Sequence, residues 1–182
     1  MKKGERRRQQ ILERLADHVL AHGLQGSGLR AMGAAAGTSD RMLLHYFTDK
    51  EELLTETLTL VTQRLIALLE SARADPLPFQ RLLPHLSGVL EDARLQPYMR
   101  LWLELVTLAA GGKEPYRMVG QQICRTLLDW IAVALEVDRE EERQPLAALT
   151  LVIVEGFGML DALGDEATRT AARAGLAGAI SS

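Results

Sequence analysis

Apolar residues recur at helical spacing almost from the start of the chain. Ile11, Leu12, Leu15, Ala16, Val19 and Leu20 fall on one face, with Glu13, Arg14, Asp17 and His18 opposite, which predicts a first helix. Gly23 suits its C-cap, because glycine accepts the left-handed conformation that ends helices. Gly26, Ser27 and Gly28 then make a loop. A short helix is expected from about Leu29 to Ala36, stopping at Gly37. Thr38-Ser39 supplies an N-cap for a second short helix, Asp40 to Phe47. Thr48 and Glu51 stand at capping-box spacing and open a long helix from about Asp49, striped by Leu54, Leu58, Val61, Leu65 and Leu68.

Prolines punctuate the remainder. Pro76 and Pro78 end the long helix and begin another to about Arg94, and Pro97 opens the next, closed by Gly111-Gly112. A helix from near Pro115 to about Val137 follows, then a charged connector from Asp138 to Arg143. Pro145 begins a strongly apolar helix to about Leu163, and Gly164-Asp165 leads into a last helix rich in Ala and Gly. No stretch alternates as a strand would, and no internal repeat is present. The expected class is all-α, with about nine helices, three of them short and N-terminal.

Composition agrees with this pattern. The chain has 182 residues, 47% of them hydrophobic and 25% charged, which fits a globular protein and not a disordered one. Such a length buries about 70% of the surface its unfolded form exposes, so no disulfide or metal staple is needed. The single cysteine, Cys124, excludes an internal disulfide and any multi-cysteine metal site. The basic start is interrupted by Glu13, Arg14, Asp17 and His18, which breaks the apolar run a signal peptide needs. The longest apolar-looking segment, Leu146 to Val154, ends at Glu155, short of the roughly 18 residues of a spanning helix. A cytoplasmic protein with no membrane partner is the expectation.

The net charge of -3 hides a split. Residues 1–50 hold nine Lys/Arg against five Asp/Glu, while the remainder holds 12 against 19. A basic first quarter on an acidic body suits an N-terminal segment that meets polyanions; a solvated helix face near a charged terminus reads the same.

Catalytic signatures fail one by one. Gly111-Gly112-Lys113 resembles the end of a phosphate loop, but Thr107 and Glu114 stand where that loop needs Gly and Ser/Thr. Gly26, Gly28 and Gly33 do not form a dinucleotide fingerprint, and no strand precedes them. His18 and His22 lie four apart on one helix without a third ligand, so they read as a surface pair. Cys124, among Ile123, Leu127 and Leu128, reads as a small buried hydrophobe. No enzyme, metal or cofactor is expected.

Residues 28–54 stand apart. Two short helices joined at a glycine, the first lined by Gly33, Ala34, Ala35 and Ala36, meet the needs of a helix-turn-helix: the thin helix lets the other cross it closely. Leu29, Met32, Leu43 and Phe47 can bury beneath the pair. Ser39 caps the second helix, whose N-terminal end favours phosphate and from which Arg41 can reach base edges. A structural three-helix bundle uses the same pattern.

The run from Gly37 through Asp40, Arg41, Met42, Leu43, Leu44, His45, Tyr46 and Phe47 to Lys50 and Glu51-Glu52-Leu53-Leu54 resembles the signature of TetR-family (tetracycline-repressor-like) transcriptional regulators. The resemblance covers roughly residues 8–54, and the rest matches in architecture only. It implies an all-helical homodimer with an N-terminal helix-turn-helix head, residues 1–48, and a C-terminal ligand-binding and dimerisation domain, residues 49–182. The implied partners are a palindromic operator in double-stranded DNA and a small-molecule effector. By position, Ser39, His45, Tyr46 and Lys50 match family residues that hold phosphates, and Asp40, Arg41 and Met42 match those that reach bases. Gly28, Thr38 and Leu44 complete the expected DNA-binding set. Leu44 stands where the family commonly has Tyr, Arg41 where a small residue is frequent, and Gly28 where a capping Thr is usual.

Two further expectations concern the body. Leu146, Leu149, Val152, Ile153 and Phe157 give one helix more apolar surface than a monomer easily hides, and Ala171, Ala174, Gly175, Gly178 and Ala179 make the next thin, which predicts a dimer through the last two helices. Tyr98, Met99, Trp102, Met118, Trp130 and Phe157, with Gln121, Gln122 and Glu155 as polar groups, are candidates for a mostly apolar ligand pocket, although each taken alone reads first as core. The function this adds up to is a transcriptional repressor released by a small, largely apolar ligand. The alternative is a helical interaction module that uses its basic end on a protein or an acidic membrane.

Overall fold

The computed structural model describes residues 3–25, 27–71 and 75–180; Gly26 of the expected loop and the side chain of Ala179 lie outside the described residues. Nine helices occur among the described residues: α1 (Lys3–His22), α2 (Leu29–Ala35), α3 (Asp40–Tyr46), α4 (Lys50–Ser71), α5 (Phe79–Val89), α6 (Gln96–Ala110), α7 (Glu114–Ala134), α8 (Glu140–Leu163) and α9 (Glu166–Ile180). Of the three N-terminal helices only α2 and α3 are short, because the apolar face of α1 is fed by a full 20-residue run. Among the described residues the regular structure that is not helical is a parallel pair of two-residue strands, β1 (Leu77–Pro78) and β2 (Leu135–Glu136). Two residues are too few to show alternation, so no sequence pattern announces them.

Two compact units divide the chain, Met1–Ala67 with Pro97–Ile123, and Leu68–Gln96 with Cys124–Ser182. In the first, the stripe on α1 is the core: Ile11, Leu15, Ala16 and Val19 are wholly buried, together with Met32, Leu43, Leu53, Leu58 and Leu105. Gly23 ends α1 in the left-handed conformation at φ 77°. The Glu104 carboxylate of α6 fills the space where a Gly23 side chain would sit and accepts the Leu24 N–H at 2.6 Å. An alanine at 23 would therefore meet both backbone strain and a carboxylate.

In the second unit α5, α8 and α9 pack against one another, Leu82, Leu86, Ile131, Leu135 and Ala147 form a buried cluster, and Phe157 is buried as well. Here two boundaries differ from the sequence expectation. α5 stops at Val89, not Arg94, because Asp92 turns the chain by accepting the Leu95 N–H at its carbonyl and the Arg94 N–H at its carboxylate. α8 starts at Glu140, so most of the expected connector is its first turn and Pro145 lies inside it. Three glutamates, Glu140, Glu141 and Glu142, favour a helix start by complementing its dipole. Arg143 then reaches back to the carbonyls of Ala132 and Leu135 at 2.8 and 2.6 Å, satisfying the end of α7.

The outward side of α8 carries Leu149, Val152, Met159 and Leu163, all exposed, at steps of three, seven and four residues. Phe157 is buried, while Leu146 and Ile153 are half-buried, so the exposed row keeps two of the expected residues, Leu149 and Val152, and reaches further along the helix, to Leu163. By length and composition α8 is also apolar enough to cross a membrane, with mean hydropathy 1.9 over eighteen residues of which 22% are buried. Ending the apolar-looking run at Glu155 misses this, since one carboxylate does not offset the residues beyond it.

Candidate nucleic-acid interface

α2 and α3 cross at Gly33. A Cβ built there would lie 2.9 Å from the Asp40 nitrogen, 3.1 Å from the Ser39 carbonyl carbon and 3.1 Å from the Thr38 oxygen, all backbone. Gly33 therefore lets the first helix touch the start of the second, and Thr38 N–H donates back to the Gly33 carbonyl at 2.8 Å. Gly37 makes the turn at φ 65°. Arg14 of α1 holds that turn from below, donating to the Ala36 carbonyl at 3.1 Å.

The second helix of the pair, α3, begins as the sequence suggests. Ser39 is extended and its hydroxyl accepts the Met42 N–H at 3.2 Å, while the Asp40 carboxylate accepts the Arg41 N–H at 2.8 Å. α3 buries one side only: Leu43 is fully covered, and Phe47 follows it into the core. Asp40, Arg41, Met42, Leu44 and His45 are exposed, with Tyr46 and Lys50 half-buried beside them and Thr38 half-buried before them. His45 and Tyr46 stack edge to face, 5.1 Å between ring centres. Gly28 is the exposed N-cap of α2 and offers no side-chain cap. The expected DNA-binding residues thus share the surface of one short stretch of chain.

The start of α4 corrects one detail. The capping group is Asp49, whose carboxylate accepts the Glu52 N–H at 2.8 Å, while Glu52 turns back to accept the Thr48 N–H. The box is shifted by one residue from Thr48 and Glu51 because Asp49, not Thr48, gives its carbonyl to the first helical bond. The Thr48 N–H, followed by Arg8, holds the Glu52 carboxyl below the usual carboxylate range.

Sequence reasoning passed over the group that fastens this surface to α1. Arg8 donates to the Tyr46 carbonyl at 3.2 Å and to Glu52 at 3.0 Å, pairs with Glu56, and lies over the Phe47 ring at 4.6 Å. It locks the end of α3 to α1 and α4 at once. The signal was present: Arg8 precedes Ile11 and Leu12 by three and four residues, so it is a charge on the core face of α1. Arg64 of α4 similarly pairs with Glu13 and, at 2.7 Å, with Asp17, and Arg64 holds the Glu13 carboxyl below its ordinary range.

The expected ligand residues are divided between the two units. Tyr98 and Trp102 pack half-buried on the first unit's core, and burial pushes the Tyr98 hydroxyl up. Met99 is half-buried, and Met118 and Gln122 are exposed. In the second unit, Trp130 gives its indole N–H to Glu70 at 2.6 Å, Glu155 is half-buried, and burial, followed by the Glu155 charge, pushes the Cys124 thiol up. Phe157 is buried and borders a cavity of about 450 Å³ in the same unit, lined by α5, α8 and α9.

Residues 11–57 match the family profile of bacterial regulatory proteins of the tetR family. A comparison with curated proteins gives no match. The chain is 26% identical to a crystallised protein of Rhodococcus sp. described as a TetR-family transcriptional regulator, over 96% of each chain, with a TM-score of 0.70. It shares the fold of a transcriptional regulator from Rhodococcus sp. Rha1, with 22% identity over 96% of this chain and 94% of the other and a TM-score of 0.69. A tetR-type regulator of Streptomyces avermitilis has the same fold, with 23% identity over 87% of each chain and a TM-score of 0.62.

Proposed function

Because this chain belongs to the TetR family of transcriptional regulators, DNA-binding proteins rather than enzymes, we propose that it acts as a homodimeric repressor in the cytoplasm that leaves its operator when a small, largely apolar effector binds. Residues 1–48 are assigned to the operator and residues 49–182 to the effector and the dimer. The observation that carries the reading is the one-sided burial of α3. Leu43 is covered, while Asp40, Arg41, Met42, Leu44 and His45 stand free beside the Ser39-capped helix start. That start favours phosphate, and the side chains beyond it are free to read base edges.

The exposed row on α8 supports the dimer. Leu149, Val152, Met159 and Leu163 face out beside α9, whose Gly175 and Gly178 have open space around them, so a second copy can approach closely. The same row also fits the alternative, an acidic membrane met by the basic end, since α8 is apolar enough for it. Titration against duplex DNA and against acidic vesicles, each at rising salt, separates the two. The repressor binds duplex with a steep salt dependence and leaves vesicles unbound; the reverse result overturns the reading.

α4 leaves the head directly after α3, so a change in its tilt would alter the spacing of the two recognition helices. An effector acts only through its preference for the wrong spacing, and a coupling of about 1–3 kcal/mol weakens operator binding roughly 5–150-fold. Linkage requires operator DNA to weaken effector binding by the same factor, which calorimetry with and without operator measures.

A further inference from the structure

We infer that Arg8 is a positioning residue for operator recognition: it holds α3 at the angle needed to read base edges and carries movement of the start of α4 into α3. The inference rests on the DNA-binding reading of α3 and adds to it a side chain that does not itself grip DNA.

α3 has seven residues, so it is about 10 Å long, and a helix that short takes its orientation from what its ends touch. Its first end is fixed at the Gly33 crossing, where backbone meets backbone. Its second end has no continuation, because Phe47 leaves the helix extended at φ -130° and ψ 140°. The Tyr46 carbonyl, in the last turn and so without a helical partner, accepts the Arg8 Nε–H at 3.2 Å. The Arg8 guanidinium also lies 4.6 Å from the centre of the Phe47 ring. Both residues that end α3 are therefore held by one side chain of α1.

The same guanidinium is tied to α4. Its Nη2 donates to Glu52 at 3.0 Å and to Glu56 one turn further on. A guanidinium is planar and rigid, so Nε and Nη2 cannot move independently. Displacing Glu52 and Glu56 thus displaces the point that anchors Tyr46. Two carboxylates face this one cation, which sets Arg8 apart from Lys50, the expected phosphate contact: a phosphate approaching Arg8 meets net negative charge. Glu52 is also part of the α4 cap through the Thr48 N–H, whereas Glu56 is not, so Glu56 is the cleaner handle on the link.

The test compares full-length Arg8→Met, Glu56→Gln and the double variant with the unaltered protein. Each is titrated by fluorescence anisotropy against a duplex selected by the intact protein and against a scrambled duplex of equal composition, at several salt concentrations. One charge-assisted hydrogen bond favours one orientation of α3 by about tenfold, and apparent affinity falls with the competent fraction. Arg8→Met should therefore bind the selected duplex about tenfold more weakly, with the same salt slope and unchanged affinity for the scrambled one. Glu56→Gln, a change on α4 alone, should lose in the same direction, and the double variant should bind as Arg8→Met does. A flatter salt slope in Arg8→Met would make Arg8 a phosphate contact, and equal loss on the scrambled duplex would make it a general support of the head. Full operator affinity in Glu56→Gln, or losses that add in the double variant, would break the link from α4. Any of these results with a selected two-fold site overturns this inference alone, whereas a protein that selects no duplex overturns the proposed function with it.

Discussion

Replacing Gly33 by alanine should destabilise the head, although alanine is the better helix former. In an open helix the exchange gains roughly 0.5–1 kcal/mol. Here the new methyl group would lie 2.9–3.1 Å from backbone atoms of Thr38, Ser39 and Asp40, which cannot rotate away. Overpacking of that kind costs about 1–3 kcal/mol, so the net loss is about 1 kcal/mol. Gly88→Ala supplies the comparison, because its Cβ meets nothing within 4 Å inside helix α5 and should gain the full helix increment. The two variants should therefore differ by about 2 kcal/mol, with Gly33→Ala the weaker. Urea unfolding followed by circular dichroism, at equal protomer concentration, measures the gap. Gly33→Ala should also bind DNA less tightly, since α3 must shift against α2. Equal stability of the two variants, with unchanged DNA affinity in Gly33→Ala, would refute the close-crossing argument.

Lys50→Ala should weaken binding to all duplexes and flatten the salt dependence, whereas Arg41→Ala should relax preference at one base pair at a cost of about 1–3 kcal/mol, both read by fluorescence anisotropy. Val152→Glu puts a charge on the exposed row of α8, and sedimentation should then find a 20.1 kDa monomer where the unaltered chain sediments as a dimer. The lowered pKa of Glu13 makes its pairing with Arg64 a stabilising feature that is complete above the ordinary carboxylate value of 4.5 and lost as the pH falls through the lower folded-state value. Arg64→Met should thus make the acid limb of the stability curve shallower, by less than about 1 kcal/mol for so exposed a pair; parallel acid limbs would contradict it.

Legibility in the sequence follows the range of the interaction. α1 to α4 are readable because their signals are local: the face of Ile11, Leu15 and Val19, the glycine at 37 and the Ser39 cap each act within a few residues. The surface of α3 follows from the same facts, since burying Leu43 and Phe47 leaves Arg41, Met42, Leu44 and His45 outside. What escapes is fixed by partners far along the chain. Arg8 meets Glu52 and Glu56, Glu104 replaces a side chain at Gly23, and Arg143 closes α7 from the next helix, which is also why α8 begins ahead of Pro145. The cavity residues show the same limit. Phe157, a candidate by its size, borders the cavity, but the rest of the wall comes from α5 and α9, among them Gln80, Leu83, Arg173 and Leu176, which no local pattern marks.

The most direct test of the central claim is selection of duplexes from a random pool by the intact protein, followed by footprinting of the winners. A two-fold symmetric site should emerge, protected on one face, with half-sites centred ~34–36 Å apart and affinity falling steeply with salt. Enrichment of no common sequence, or of a site without symmetry, would contradict a dimer that reads DNA through Arg41 and Met42 on α3.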